Sequence, residues 1–431
     1  MSLAMLCALI LLAGGVAMRW PSVNYGSQVQ LQREDTNRAA ARDTGGETQS
    51  AYNDFAFGSF SYTDIASLFF RDHLYSHPRP FFDYQLEYPV GMGLVIYLLN
   101  TATSLHSYLL LSSVFLALCA LLTLWLIGFI PGSNPVLLAL SPALLLYVNL
   151  NWDFWGILLA IAALLLCAQG RAGWGGVLLG AALWTKFFPI VLVPLIVLVY
   201  LINLDRRAVI RLLAGFTGAT LLINAPLLLF KPQAWWYFFQ VNQRRSREVN
   251  LWNFFDSYHL TTGAINNWIS VLLTAGMGGL LILLWRAARA TNGWAHQEPA
   301  QVAPGLAALL LPAFCAAMAW FFFINKVYSP QYSLWIAVLL AAAGASPALA
   351  IAWGAADLIY FIASFGALGM QAFVRVPGAN VAIEHANDWM YHYILFPAMG
   401  LREGMLLIVA VWGAWQLHRS ATSRRLLDGS S

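Results

Sequence analysis

A polar segment at residues 59–89 reads SFSYTDIASLFFRDHLYSHPRPFFDYQLEYP and interrupts an otherwise apolar chain. Its four carboxylates are Asp64, Asp72, Asp83 and Glu87. Of the 431 residues, 60% are hydrophobic and only 10% are charged, whereas about a quarter of the residues in a soluble domain are charged. The sequence therefore predicts an all-α polytopic membrane protein in which this segment is a functional loop.

Apolar runs flank the segment on both sides. A membrane-spanning helix needs roughly 20 apolar residues, and fewer where it packs inside a bundle. Twelve runs meet this criterion: 1–18, 107–130, 135–150, 154–169, 174–185, 187–202, 209–229, 265–285, 305–324, 331–345, 347–366 and 394–417. A further apolar run, 90–104, is predicted to be an interfacial helix, because a crossing there would spoil the alternation of basic loops.

That alternation assigns the arginine-bearing connections to the cytoplasmic side. They contain Arg171, Arg206, Arg207, Arg211, Arg286, Arg289, Arg419, Arg424 and Arg425. The opposite, extracytoplasmic face then receives the long loop 19–106 and the loops 231–264 and 367–393. All three lysines of the chain, Lys186, Lys231 and Lys326, fall on that face as well. We expect one transmembrane domain, 1–431, with about twelve helices and its polar clusters on one side.

Asp64 begins an amphipathic stretch within Tyr62-Thr63-Asp64-Ile65. An ionisable group at a membrane boundary is costly to desolvate, so a functional role is the first hypothesis. A carboxylate there can take a proton from a hydroxyl nucleophile as a general base. The structural alternative is that Asp64 caps the helix that follows it.

Two lysines, Lys186 and Lys326, stand at breaks between apolar runs. An ammonium at such a break can bind a phosphate as a compact point charge, or it can reach toward lipid headgroups. Arg402 lies inside the last apolar run beside Glu403. It is a weaker candidate for the phosphate, because the two charges can neutralise one another.

Two further acids precede apolar runs. Glu87 stands before Pro89, where an acid suits the positive end of a helix dipole. Asp153, in Asn151-Trp152-Asp153, can cap a helix or face a wet cavity. No histidine motif with a third ligand accompanies them, so the sequence predicts no metal and no cofactor. Basic residues form no stripe, which argues against nucleic acid as a partner.

The order of the motifs resembles the GT-C superfamily of polyprenyl-phosphate-sugar glycosyltransferases. After an acid in the first loop come Leu86-Glu87-Tyr88-Pro89, Asn151-Trp152-Asp153, Thr185-Lys186-Phe187-Phe188-Pro189 and Leu251-Trp252-Asn253. The elements Tyr62-Thr63-Asp64-Ile65 and Asn325-Lys326-Val327-Tyr328-Ser329-Pro330-Gln331-Tyr332 look most like glycosyltransferase family 87, which includes bacterial mannosyltransferases. The family commonly has a second proline where this chain has Val90.

The resemblance implies a GT-C-type bundle in the plasma (inner) membrane, with the active site on its extracytoplasmic face. It implies inverting transfer of a monosaccharide, with mannose as the sugar the family suggests, from a polyprenyl-phosphate-linked donor to a glycan or glycolipid acceptor. Asp64 would be the base, and Lys186, Lys326 and Arg402 would bind the donor phosphate. The residues expected to bind substrate or orient the loops are Glu87, Tyr88, Asp153, Asn253, His259, Tyr328 and Gln331.

Two other classes of function remain open at this point. About twelve spans is a common number for a transporter or flippase, although carriers usually show two related halves with binding groups near mid-membrane. A polymerase or ligase of lipid-linked glycans would also use a large external loop, but with a lipid-diphosphate donor.

Overall fold

The structure is a computed structural model that describes residues 2–37, 45–102, 104–290, 299–374 and 381–428. These residues form helices and turns without a β-strand, which confirms the all-α expectation. The first nine helices are α1 Ser2–Asn37, α2 Gly45–Gly58, α3 Asp64–Arg71, α4 Val90–Leu99, α5 Leu105–Ile127, α6 Pro135–Ala139, α7 Pro142–Tyr147, α8 Asp153–Ala168 and α9 Ala172–Thr185. The others are α10 Leu192–Ile202, α11 Arg206–Phe230, α12 Pro232–Arg244, α13 Thr262–Ala290, α14 Pro299–Ile324, α15 Tyr332–Ala342, α16 Pro347–Val374, α17 Val381–Met390 and α18 Phe396–Asp428.

Each of the twelve predicted apolar runs is largely helical in the described residues. Within the described ranges, six helical stretches are long and apolar enough to cross a membrane, in α1, α5, α11, α13, α16 and the continuous stretch from α17 to α18. Of the other runs, 305–324 lies in α14, of which Leu309–Ile324 is a shorter apolar helix, and five form shorter helices, with 135–150 divided into α6 and α7. This division occurs at Ser141, which precedes Pro142 and caps α7 with its side chain, because proline disfavours helical backbone in the preceding residue. A membrane-embedded helical protein is thus supported, while the number of twelve crossings stays a prediction.

The first predicted loop, 19–106, is largely helical. Helix α1 does not end at residue 18 but continues to Asn37, and α2, α3 and α4 follow. The buried Arg19 guanidinium donates hydrogen bonds to the carbonyls of Phe60 and Leu146, and so ties α1 to the chain before α3 and to α7. Helix α4 has ten residues, or about 15 Å at 1.5 Å per residue. That is half of the hydrocarbon core, and its interfacial position stays a prediction.

Close backbone packing fixes the middle of the bundle. In the pair α9 and α11, a Cβ added to Gly176 would lie 2.1 Å from the Leu212 carbonyl oxygen. Small residues allow membrane helices to approach in this way. At the start of α4, a Cβ on Gly91 would lie 2.6 Å from the Trp184 carbonyl oxygen. The segment that carries Glu87 and Tyr88 is therefore held against the break that carries Lys186.

The later loops are also partly helical. Residues 231–264 contain α12 and a 3₁₀ helix, Leu251–Tyr258. Trp252 Nε1 donates to the Ile324 carbonyl at 2.8 Å, and Asn250 Nδ2 donates to the Lys326 carbonyl. These bonds attach the 3₁₀ helix to the break between α14 and α15. In the predicted loop 367–393, α16 and α17 occupy the two ends, and residues 375–380 lie outside the described residues.

Candidate active site

A cavity of about 1120 Å³ brings together Asp64, Lys186 and Lys326. One part of its wall comes from α2, α3, α16 and residues 87–89. Another comes from the chain after α12, from α13 and from residues 325–332. A volume of this size accommodates a substrate larger than a single sugar ring.

The carboxylate of Asp64 does not cap α3. Thr63 is the cap residue, and its Oγ1 accepts the Ile65 amide at 3.2 Å and donates to the Asn149 carbonyl at 2.6 Å. The capping alternative for Asp64 is therefore wrong. Its Oδ1 instead accepts the Tyr62 hydroxyl at 2.8 Å, and its Oδ2 accepts Asn151 Nδ2 at 2.7 Å. Both bonds aim the carboxylate from the first turn of α3 into the cavity.

Asn151 links this carboxylate to Lys186. Its Oδ1 accepts the Trp152 amide at 2.7 Å and Lys186 Nζ at 3.1 Å, and its Nδ2 donates to Asp64 and to the Tyr88 hydroxyl at 2.8 Å. Because two donors face Oδ1 and two acceptors face Nδ2, the orientation of the Asn151 amide is defined. The position of the Asp64 carboxylate thus depends on the turn before α8 and on the end of α9.

Lys186 is neutralised by Asp153. Its ammonium lies 2.9 Å from Asp153 Oδ2, with side-chain exposures of 7% and 0%. Trp335 Nε1 donates to Asp153 Oδ1 at 3.0 Å. Asp153 begins α8 but makes no capping bond and does not line the cavity. This buried pair carries no net charge toward a substrate.

The environment of Asp64 makes its carboxylate more basic. Burial raises the pKa of Asp64, and the hydrogen bonds from Asn151 and Tyr62 and the charge of Lys186 oppose this rise only in part. A higher pKa strengthens a carboxylate as a proton acceptor.

Lys326 occupies a different environment on the cavity wall. Its Nζ donates to the Gln243 carbonyl at 3.1 Å, and its carbonyl accepts the Glu248 amide at 2.9 Å. Burial, followed by the charge of Arg245, lowers the pKa of Lys326. Within the described residues, no carboxylate forms an ion pair with this ammonium.

The charged side chains that line the cavity are Asp64, Arg71, Glu87, Lys186, Arg245, Glu248 and Lys326. Three ion pairs, Arg71–Glu87, Lys186–Asp153 and Arg245–Glu248, include all of them except two. In the described part of the chain, the two without an ion pair are Asp64 and Lys326. The cavity therefore offers one unpaired carboxylate and one unpaired ammonium.

Comparison with known families identifies the chain. The family model described as glycosyltransferase family 87 matches residues 86–312, more than half of the chain. The chain belongs to glycosyltransferase family 87. The resemblance seen in the motifs is confirmed, and the protein is a membrane glycosyltransferase. No curated protein matches the chain.

The family 87 match does not reach every candidate residue. It includes Glu87, Asp153 and Lys186, but it ends before Lys326 and begins after Asp64. The argument for a role of Asp64 therefore rests on the geometry of the cavity. Family membership favours an enzyme over the transporter or flippase.

The other predicted site residues divide into two groups. Glu87, Tyr88, Tyr328 and Gln331 line the cavity. The carboxylate of Glu87 is held by both terminal nitrogens of Arg71, at 2.6 and 2.9 Å, which suits a loop-orienting role.

Asn253, His259 and Arg402 are not brought to the cavity wall. Asn253 Oδ1 accepts the Asn250 amide at 3.0 Å within the 3₁₀ helix, and His259 ends that helix in an exposed position. The Arg402 guanidinium is fully buried, paired with Glu403, and lies 3.8 Å from the centroids of the Tyr328 and Tyr360 rings. This placement matches the alternative in which the two neighbouring charges neutralise one another.

Sequence reasoning did not single out Tyr62, Asn151 or Arg245 as site residues. Tyr62 and Asn151 belong to quoted motifs, and each lies two residues before an aspartate, so their place in the sequence could have pointed to them. Arg245 belongs to a run of arginines whose members look alike in sequence, and only the folded chain shows that Arg245 lines the cavity while Arg244 does not.

Proposed function

We propose that the chain transfers a monosaccharide from a polyprenyl-phosphate donor to a glycan or glycolipid acceptor, with inversion at the anomeric carbon. Asp64 is the general base. Lys326 binds the donor phosphate, and Lys186 supports the base through Asn151. The active site faces the extracytoplasmic side of the plasma (inner) membrane, and mannose is the first sugar to test.

One observation carries this proposal. Among the charged side chains that line the cavity, Asp64 and Lys326 are the two that make no ion pair in the described ranges. An unpaired carboxylate can accept a proton, and an unpaired ammonium can meet an anion. The two groups that the reaction requires are thus left free in one cavity.

The reaction balances on these groups. The acceptor hydroxyl oxygen attacks the anomeric carbon, and its proton passes to the Asp64 carboxylate. The bond between the anomeric carbon and the phosphate oxygen breaks, and the electron pair leaves with the phosphate. Positioned cations stabilise the charge that develops there.

The charges of the cavity also favour a monophosphate donor. A sugar joined to a lipid through one phosphate is a diester with one negative charge, which one unpaired ammonium balances. A lipid diphosphate, as a glycan polymerase or ligase would use, brings at least one charge more. When the sugar leaves, the lipid diphosphate gains a further charge and carries more than Lys326 and Arg245 could balance together, and placing that charge in a partly buried cavity is costly.

The test is sugar transfer by the purified chain from radiolabelled polyprenyl-phosphate monosaccharides, with a polyprenyl-diphosphate oligosaccharide in parallel and membrane glycolipids as acceptors. We expect label transfer from at least one monophosphate donor, none from the diphosphate, and loss of transfer in folded Asp64→Asn. Transfer from the diphosphate alone would contradict the proposed donor. Transfer that survives Asp64→Asn would contradict the proposed base.

A further inference from the structure

We infer that Arg245 joins Lys326 in one phosphate subsite, and that it neutralises the second negative charge which the phosphate gains when it leaves the sugar. This inference rests on the proposed function, because it assumes that a lipid phosphate occupies the cavity. It adds a residue that neither the motifs nor the family match single out.

Hydrogen bonds join Lys326 to the chain on both sides of Arg245. The Lys326 ammonium donates to the carbonyl of Gln243, two residues before Arg245. The Glu248 amide, three residues after Arg245, donates to the Lys326 carbonyl. Arg245 and Lys326 both line the cavity. The two cationic side chains are therefore held at the same part of its wall.

Two adjacent cations repel one another, and here the repulsion acts on Lys326. Arg245 contributes to the lowered pKa of the Lys326 ammonium, after burial itself. An anion bound between the two groups would remove this cost, since each cation would then have a counter-charge. A phosphate has enough oxygens to accept hydrogen bonds from both.

Glu248 forms an ion pair with Arg245, and a phosphate could take the place of its carboxylate. Arg245 Nε and Nη2 both lie 2.6 Å from Glu248 Oε1. The side chains are 40% and 41% exposed, and a partly exposed ion pair of this kind is worth little. The Lys186–Asp153 pair is buried by comparison. Arg245 can therefore exchange its carboxylate partner for a ligand, whereas Lys186 cannot do so without leaving Asp153 unpaired.

The reaction creates the need for this second cation. The bound donor is a phosphodiester with one negative charge, and Lys326 balances it. When the bond to the sugar breaks, the lipid phosphate becomes a monoester and gains a second charge, while Asp64 loses its charge to the acceptor proton. Negative charge thus moves from Asp64 toward the phosphate. Arg245 is the remaining cation at that place whose partner is exposed.

The experiment measures phosphate binding without any sugar transfer. The probes are farnesyl monophosphate and farnesyl methyl phosphate, titrated into the full chain in detergent at pH 8. An alkyl phosphate has its second ionisation near pH 6, so the monoester carries two charges at pH 8 and the diester carries one. The variants are Arg245→Gln, Lys326→Gln and the matched control Arg244→Gln, which changes an exposed neighbour that does not line the cavity.

We expect Arg245→Gln to lower the affinity for the monoester at least tenfold and the affinity for the diester less than threefold. Lys326→Gln should lower both affinities tenfold or more, and Arg244→Gln should change neither affinity by more than twofold. Arg245→Lys should recover part of the monoester affinity. Equal losses in Arg244→Gln and Arg245→Gln, or unchanged monoester affinity in folded Arg245→Gln, would overturn the inference. Asp64→Asn should bind both probes as the native chain does, so a wrong base assignment would be seen in the transfer assay and not here.

Discussion

Lys186 and Lys326 look alike in the sequence but occupy opposite electrostatic situations. Each stands at a break between apolar helices and lines the same cavity. Lys186 is sealed against Asp153, whereas Lys326 makes no ion pair in the described ranges. Whether a lysine can serve a substrate is therefore decided by the carboxylate within its reach, and its place in a motif does not reveal this.

The same contrast separates the two acids of the first loop that line the cavity. Glu87 is held by Arg71 through two hydrogen bonds. Asp64 receives bonds from a phenol and an amide, which leave its negative charge unpaired. One acid and one lysine are thus fixed in structural pairs, whereas the other acid and the other lysine make no ion pair in the described ranges.

The largest expected effect concerns the two kinds of acid. Asp64→Asn should lower kcat by roughly 10²–10⁴-fold, because general base catalysis contributes about that much. Asp83→Asn is the matched control, since it removes a carboxylate of the same segment that pairs with Arg79 outside the cavity. Steady-state transfer rates of the two purified variants check this. A similar loss in both would mean that the segment needs its charges for folding rather than for catalysis.

The next effect concerns stability and should appear at Lys186 alone. Lys186→Gln should lower the free energy of unfolding by about 3–5 kcal/mol, because it leaves a buried carboxylate without its partner. Adding Asp153→Asn should recover much of the loss. Unfolding followed by tryptophan fluorescence measures both variants. If Lys186→Gln kept native stability and weakened donor binding instead, the distinction between the two lysines would be wrong.

A smaller effect is expected at Lys326, and it should appear in the KM for the donor. Lys326→Gln should raise this KM roughly ten- to a hundredfold, since a hydrogen bond to a charged group is worth about 1.5–3 kcal/mol. Lys231→Gln should leave it unchanged, because Lys231 is exposed and does not line the cavity. Initial rates over a range of donor concentrations separate the two. Equal changes would point to general attraction of the anionic lipid.

The smallest effect concerns pH. The base acts as a carboxylate, so activity should rise with pH through the pKa of Asp64, which burial places above the ordinary aspartate value. Tyr62→Phe removes a hydrogen bond that lowers this pKa. The acidic limb of kcat/KM should therefore move to higher pH. If the acidic limb stayed in place or moved to lower pH, a group other than Asp64 would be the one that titrates.

Much of the fold could be predicted because hydropathy marks helices directly. The extension of α1 to Asn37 could not, since its last turns are polar and lack the apolar pattern that marks a membrane helix. In the site, the place of Asp64 in the polar first loop and of Lys186 and Lys326 at breaks between apolar runs singled out these residues. The hydrogen bond from Asn151 to Asp64 joins residues 87 positions apart in the chain, and no local sequence pattern predicts such a contact. For Arg402, the sequence showed the adjacent Glu403, but it did not show that the guanidinium is buried over the rings of Tyr328 and Tyr360.

The most direct test of the division of labour is a single-turnover measurement at saturating donor. It compares the rate of the chemical step with the donor dissociation constant in Asp64→Asn and in Lys326→Gln. The account predicts that Asp64→Asn binds donor as tightly as the native chain but reacts at least 10²-fold more slowly, while Lys326→Gln binds donor more weakly. Weak donor binding in Asp64→Asn together with an unchanged chemical rate would contradict it.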